Sequence, residues 1–507
     1  MIKQADPFRR NGSSYLGSIA PALIVAMVFG AAHVWTNGQY GFHRDEWQVL
    51  SDAQHLDWGF VPYPPLTAAL EYLGLKMFGL SLTGLRLFSV LAQVLVIVAS
   101  GLMARDLGGG RLAQTFAALA VALSPLPMFQ ATEFQYSSFD LLWWVLIAWS
   151  VIRLLRDDEP RWWLAVGLFA GLGLQTKYSM AFALAGVLAG LLFTDARRYV
   201  ASRWFWMGGV VGLLVFLPNL VWLIRHDFVS YHFLQSIHAR DVRQGRADGF
   251  LRDQFLLNAN LFAAPVWLAG LLAYCRDRRY RMLGWMYAVP LLLFLLAQGR
   301  FYYTCGAYPM LLAMGSVVGE RGLHRLRPAW RTAAGTLGFA GVLAVGVYAA
   351  LRIVPIASGG PLRDFALRNN SDLREEIGWE ELVAKVAAIR DALPDEQKAG
   401  LGIAVGNYGE YGAIAMLGPR YRLPMPISTI NTAWLRGYPT PPPSTYIVLG
   451  NSRERANEIF ADCRVAGHFA NALGIVNEES QYHADIFVCG PTRKPLSELW
   501  KHGPNFG

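Results

Sequence analysis

Long apolar runs separated by short basic turns recur along the first 354 residues, and then they stop. A helix that crosses a bilayer needs roughly 20 mainly apolar residues, because the hydrocarbon layer is about 30 Å thick and a helix rises 1.5 Å per residue. On that criterion the pattern predicts eleven spans, at residues 15–36, 84–104, 113–130, 140–155, 162–176, 178–194, 204–224, 256–275, 283–298, 304–319 and 333–354. The nearly uncharged stretch 162–194 reads as two spans around a turn at Thr176-Lys177-Tyr178. Arg153, Arg156 and Arg161 precede it and Arg197, Arg198 and Arg203 follow it, so the chain crosses and returns.

The remaining basic residues extend that alternation. Lys3, Arg9 and Arg10, then Arg105 and Arg111, then Arg276, Arg278, Arg279 and Arg281, then Arg321, Arg325, Arg327 and Arg331 fall on the same side of the predicted topology. Fewer lie in the opposite connections, and those concentrate in one long loop around 225–255. Basic residues accumulate on the cytoplasmic side, so the amino terminus is expected inside and the carboxyl terminus outside. Arg9 and Arg10 before an apolar run that reaches Gly30-Ala31-Ala32 also suit a cleaved signal sequence, but the run is long for one and ten further spans follow.

After Val354 charged residues appear regularly, Pro and Gly punctuate, and apolar runs shorten. Residues 355–507 are expected to form a separate, small extracytoplasmic α/β domain, with 1–354 as the all-α polytopic membrane domain and 37–83 as its first outer loop. Within the second domain, 373–393 reads as an amphipathic helix, 402–405 as a buried strand and 411–417 as a helix. Further strands are read at 446–449 and 486–488, and a loop at 437–443.

Composition agrees. The 507 residues are 54% hydrophobic, 13% aromatic and 16% charged, against about 25% charged for an average soluble chain. Disordered, collagenous, coiled-coil and disulfide-scaffold classes are excluded. The formal charge of +9 sits at membrane turns, which argues against a nucleic-acid partner. Of four cysteines, Cys275 and Cys305 lie at or in spans. Cys463 and Cys489 flank two candidate strands, 464–469 and 484–488. Paired as a hairpin, those strands would bring the two sulfurs face to face in an oxidising compartment; two buried thiols are the alternative.

Ionisable groups at membrane depth are costly, so those at span edges are functional candidates. They collect on the outer side: His43, Arg44, Asp45 and Glu46 in the first loop, Glu133 and Asp140 at the second, Lys177 at the third, Arg300 to Tyr303 at the fifth. For Lys177 and Arg300, interfacial anchoring is the competing reading. Carboxylates beside His43 and Arg44 do little for membrane insertion. A carboxylate can accept a proton from an acceptor hydroxyl, while Arg and Lys hold a phosphate and stabilise the charge on it as it leaves. That chemistry suits sugar transfer from a lipid phosphate. Asp45 and Glu46 are adjacent and point about 100° apart on a helix, so one reaches the acceptor and the other fixes the loop or binds a divalent cation, magnesium or manganese. Asp45 is the expected base. No His/Asp/Glu spacing defines the metal ligands. The segment Asp57–Leu66, rich in proline, and the amphipathic run to Leu80 would lie in the interface as a platform for the motif, with Trp58, Tyr63 and Tyr72 at headgroup depth.

These residues resemble a known family. HRDEWQVL (43–50) with YPPLT (63–67), GLRLFSVL (84–91), ARDLGGGR (104–111), SSFDLLWW (137–144), GLGLQTKYSM (171–180), FLPNLVW (216–222) and RFYYTCGAYPML (300–311) look like the polytopic, polyprenyl-phosphate-dependent glycosyltransferases of the C-type fold. The branch is that of protein O-mannosyltransferases and lipid A aminoarabinose transferases. The resemblance covers about residues 35–320. It implies a multi-pass enzyme of the bacterial inner membrane with an outer-face site, a polyprenyl-phosphate sugar donor, inversion at the anomeric carbon, and a lipid, glycan or protein acceptor. By motif position it implies Asp45 as the catalytic acidic residue with Glu46 beside it, and Lys177, Arg300 and Arg44 at the donor phosphate. His43, Tyr63, Glu133, Asp140, Tyr178 and Tyr303 would contact substrate. Ser137 stands where relatives carry another Asp. The carboxyl-terminal domain would shape acceptor choice.

Two other classes compete. A transporter or lipid flippase would also place charges inside a helical bundle, but with repeated halves and helices broken near midplane, and neither is visible here. A non-catalytic envelope-assembly partner would tolerate loss of Asp45.

Overall fold

The computed structural model describes residues 15–507; the basic group Lys3, Arg9 and Arg10 lies outside the described residues. The chain is mostly helical up to Ile353 and carries a small five-stranded sheet beyond it. Among the described residues five helices are long and apolar enough to cross a membrane: Ile19–Thr36, Leu82–Asp106, Tyr136–Asp157, Arg203–Arg225 and Pro328–Ile353. Two further helix pairs qualify only jointly, with bends of 99° and 95° at their breaks, giving up to seven.

Where the observed helices depart from the apolar runs, proline usually gives the reason. The run 113–130 divides into Arg111–Ala122 and Pro125–Gln130, because Pro125 and Pro127 withhold backbone donors and suit a helix start. The run 304–319 becomes a tight turn, Phe301–Ala307, followed by Tyr308–His324 with Pro309 in its first turn. The long connection at 225–255, read as a loop, folds into helices Val229–Arg243 and Phe250–Leu256.

The basic connections meet at one end of the bundle. Arg105, Arg153 and Arg156 converge on Asp106, Arg198 pairs with Asp158, Arg278 faces Asp195, and Arg279 donates to the Leu155 carbonyl. Arg321 reaches the Leu107 carbonyl. Helix Tyr136–Asp157 carries Arg153 and Arg156 near its last residue and has Gln135 just before its first. Its 22 residues span about 33 Å, so the basic end and the Gln135 end lie a bilayer's thickness apart.

In the carboxyl-terminal segment, strands β1 (Leu401–Ala404), β2 (Pro426–Ile427), β3 (Thr445–Val448), β4 (Arg464–His468) and β5 (Asp485–Cys489) form one sheet in the order β2-β1-β3-β5-β4. β1 runs parallel to β2 and β3, while β5 is antiparallel to β3 and β4. The β4–β5 register sets Cys463 beside Cys489, and the two form a disulfide with Cα atoms 4.1 Å apart. Helices Trp379–Asp391 and Tyr408–Leu417 cover the sheet. Their apolar residues share a core with the first outer connection and the start of helix Leu82–Asp106: Phe42, Trp47, Leu50 and Leu85 pack with Trp379, Leu382, Tyr411 and Ile414. The sheet-bearing segment is therefore seated on the HRDEWQVL motif.

Candidate active site

The motif becomes a helix, Arg44–Ala53, because His43 caps it. The His43 ring accepts from the Asp45 amide, and Glu46 three residues on accepts from the His43 amide at 2.7 Å, a reciprocal capping box. This construction separates the two adjacent acids. Glu46 points inward and is fully buried, taking Arg86 Nε at 2.9 Å, Arg86 Nη2 at 2.7 Å and the Phe134 amide at 2.8 Å. With both oxygens occupied it ties the start of the motif helix to Arg86 and Phe134. Asp45 is only half-buried. Its Oδ1 accepts from the Tyr408 hydroxyl at 2.8 Å, and Gln135 Nε2 stands 3.4 Å from Oδ2.

Gln135 and Tyr136 join this carboxylate to the cationic side. Gln135 faces Asp45, and the next ring, Tyr136, lies 5.1 Å from Lys177 Nζ. Tyr302 and Tyr303 complete a three-ring cage around that ammonium at 4.9 and 4.4 Å. Lys177 has no carboxylate partner among the described residues. Asp45, Lys177 and the Arg300–Tyr303 segment thus gather at the Gln135 end of helix Tyr136–Asp157, away from the basic end.

Several other candidates are placed differently from the motif-based expectation. Arg44, expected at the donor phosphate, pairs with Glu478 and lies over the Tyr408 ring at 4.8 Å, so it clamps the carboxyl-terminal segment. Arg300 donates twice to Asp241, at 2.6 and 2.8 Å. It does not stand free for a phosphate, yet it is not alone there: Arg246 is 3.3 Å and Arg240 3.9 Å from the same carboxylate. Three guanidinium groups share one aspartate, leaving excess positive charge. Burial and then Arg246 lower Arg240 from its ordinary value, with Asp241 and the Tyr408 phenol acting in the opposite sense. Tyr63, expected at substrate, is buried and donates to Asp52 at 2.6 Å, which also receives Arg436. Tyr178 packs against the cluster of Val61, Trp222 and Phe233, supporting the proline-rich loop.

Glu133 is buried behind His43, with its Oε2 3.8 Å from the ring and Oε1 unpartnered. Burial first, then Asp372 and Glu46, raise its pKa well above the carboxylate range and favour the neutral acid. Asp140 is half-buried in the same helix that begins at Tyr136, with Oδ1 unpartnered. The described residues gather no group of three His, Cys, Asp or Glu able to hold a metal ion, so no catalytic step is assigned to a cation.

Sequence reasoning singled out neither Arg86, Gln135 and Tyr408 nor Asp241 with its arginines. The concentration of basic residues in the one long outer connection was the available signal for Arg240 and Arg246. Tyr408 lies far along the chain in a segment without motif, and nothing local marks it.

This architecture is the C-type glycosyltransferase fold. The structure matches ArnT of Cupriavidus metallidurans, solved with undecaprenyl phosphate, with a TM-score of 0.56 at 15% identity, covering 94% of this chain and 98% of that one. It matches the Archaeoglobus fulgidus oligosaccharyltransferase with a TM-score of 0.51 at 14% identity, over 82% and 65% of the two chains. Residues 62–222 match the family described as dolichyl-phosphate-mannose-protein mannosyltransferase. A lipid A galacturonosyltransferase of Rhizobium johnstonii is 28% identical over 269 residues, 51% of this chain and 55% of that protein. A polyprenol-phosphate-mannose–protein mannosyltransferase of Corynebacterium glutamicum is 28% identical over 254 residues, 43% and 46% of the two. The chain spans about half the length of these curated relatives. The chain is thus similar in fold to C-type glycosyltransferases, and in its matched segment and curated relatives to polyprenyl-phosphate-dependent glycosyltransferases.

Proposed function

We propose that the protein transfers a sugar from a polyprenyl-phosphate carrier to an acceptor hydroxyl or phosphate at the outer face of the bacterial inner membrane, with inversion. The observation that carries this reading is the pairing of a half-buried carboxylate, Asp45, with an ammonium, Lys177, that makes no salt bridge among the described residues, on either side of Gln135–Tyr136. For a hydroxyl acceptor, Asp45 accepts the proton as the acceptor oxygen bonds to the anomeric carbon. The bond from that carbon to the phosphate oxygen breaks, and the phosphate leaves on its lipid. Lys177, with Arg240, Arg246 and Arg300 nearby, stabilises the two negative charges that collect there. Attack from the face opposite the leaving phosphate inverts the centre. A divalent cation remains compatible with this scheme, and no ligand set is proposed for it.

The outer placement rests on the basic end of the bundle being cytoplasmic, which puts Asp45 and the sheet-bearing segment outside. The relatives' names point to lipid A and protein as acceptor classes. The test is incubation of purified protein in proteoliposomes with labelled polyprenyl-phosphate mannose or polyprenyl-phosphate galacturonic acid, against the corresponding nucleotide sugars. Turnover of a lipid-linked donor, releasing polyprenyl phosphate, is expected. Turnover of nucleotide sugars alone would refute the donor assignment.

A further inference from the structure

We propose that Tyr408 is a positioning residue for Asp45, so that the carboxyl-terminal segment completes the active site instead of only covering it. This inference rests on the reading of Asp45 as the base. The Tyr408 hydroxyl donates to Asp45 Oδ1 at 2.8 Å across 363 positions of sequence. Among the described residues Gln135 is the other side chain within hydrogen-bonding distance of that carboxylate, and at 3.4 Å from Oδ2 it holds that oxygen loosely. Tyr408 thus fixes one oxygen and leaves the other turned to an incoming acceptor.

The geometry holding Tyr408 is built from both partners. Asn407 caps helix Tyr408–Leu417 by accepting from the Glu410 amide at 2.9 Å, which fixes the residue that starts the helix. Two turns of small residues allow this helix to lie against the motif helix backbone to backbone. A side chain at Gly412 would collide with the Trp47 carbonyl, and one at Gly409 would come 3.1 Å from the Arg44 Cβ. Arg44 lies over the Tyr408 ring from the motif side, and its pairing with Glu478 ties it to the carboxyl-terminal segment a second time. The ring is therefore clamped independently of its hydroxyl, and the hydroxyl is free to serve Asp45. Burial, partly offset by Arg44, raises the phenol pKa above its ordinary value, so it remains a donor at neutral pH.

The consequence is specific. Removing only the hydroxyl leaves the ring, its stacking under Arg44 and the helix crossing intact, and removes one hydrogen bond to the reacting carboxylate. The experiment compares Tyr408→Phe, Asp45→Asn and the parent protein in proteoliposomes, using whichever of the two lipid-linked donors the parent turns over. Tyr408→Phe is expected to lower kcat about ten- to hundredfold, the scale of one lost hydrogen bond to a charged group. The KM for donor and the thermal-unfolding midpoint should stay at parent values. A kcat at the parent level, or one that falls only in step with lost folded protein, overturns the proposal. Asp45→Asn separates the two levels. If it is inactive while Tyr408→Phe matches the parent, this inference alone fails. If Asp45→Asn is fully active, the reading of Asp45 itself fails.

Discussion

Arg86 donates from Nε and Nη2 to the two carboxylate oxygens of Glu46, at 2.9 and 2.7 Å, with neither side chain exposed. Two neighbouring acids in one motif thereby receive different tasks, one inside the protein and one facing the site. Arg86 also donates to the carbonyls of Asn37 and Gly41 and stands 3.4 Å from Glu376 of the carboxyl-terminal segment. Breaking a buried pair from one side strands a charge and costs about 3–5 kcal/mol. Glu46→Ala and Arg86→Ala are each expected to lower the unfolding midpoint sharply. The double variant should lose less than the sum of the two, a coupling that a double-mutant cycle measures. Additive losses would show that the pair does not brace the loop.

Lys177 sits among three tyrosine rings and makes no salt bridge to a carboxylate among the described residues. Lys177→Ala is expected to raise the KM for lipid-linked donor about ten- to hundredfold, the loss of one charge-assisted contact to phosphate. Acceptor preference should not change. Lys177→Arg should recover part of the donor affinity. Steady-state kinetics with varied donor checks both, and an unchanged donor KM in Lys177→Ala removes the phosphate assignment.

The junction of motif and carboxyl-terminal segment is rich in buried acids. Burial raises Glu376 and Glu410 to about 8, with Glu46 adding to the first and Glu479 to the second; Glu375 is raised to about 7 by burial and Glu479. A carboxyl with a raised folded pKa contributes stability that is complete below its ordinary value of 4.5. That contribution disappears as pH climbs through the folded value. The unfolding midpoint is therefore expected to fall as pH rises from about 4.5 to about 8, and Glu376→Gln should flatten the fall. A midpoint that rises over that range contradicts the assignment.

Side of the membrane can be read with the protein's own thiols. Cys275 is exposed near the basic end, Cys305 is buried, and Cys463 and Cys489 are bonded. A membrane-impermeant maleimide should label Cys275 in inside-out vesicles only. A cysteine introduced by Tyr482→Cys, at an exposed position of the carboxyl-terminal segment, should react in right-side-out vesicles only. Labelling of both from one side would remove the two-sided arrangement.

Much of this arrangement was legible in the sequence because each signal was local. Apolar periodicity located helices, and arginine placement separated the two ends, as the convergence of Arg105, Arg153 and Arg156 on Asp106 bears out. The candidate strands flanked by Cys463 and Cys489 made a disulfide one of two readings, and the paired strands β4 and β5 carry it. Helix ends were less readable where proline or a tight turn interrupted an apolar run, as at Pro125 and at Phe301–Ala307. The site was half legible. Motif position marked Asp45 and Lys177, but Arg44 and Arg300 look equally suited to phosphate until Glu478 and Asp241 appear beside them. Such partners come from segments hundreds or tens of residues away, and a side chain's availability depends on them. Tyr408 was hidden for the same reason.

Transfer of label from a polyprenyl-phosphate sugar by Asp45→Asn protein, beside the parent at equal folded amounts, tests the reading most directly. Removing a general base at this position should lower kcat by about a hundredfold or more while donor KM stays near the parent value. Undiminished transfer by Asp45→Asn would contradict it.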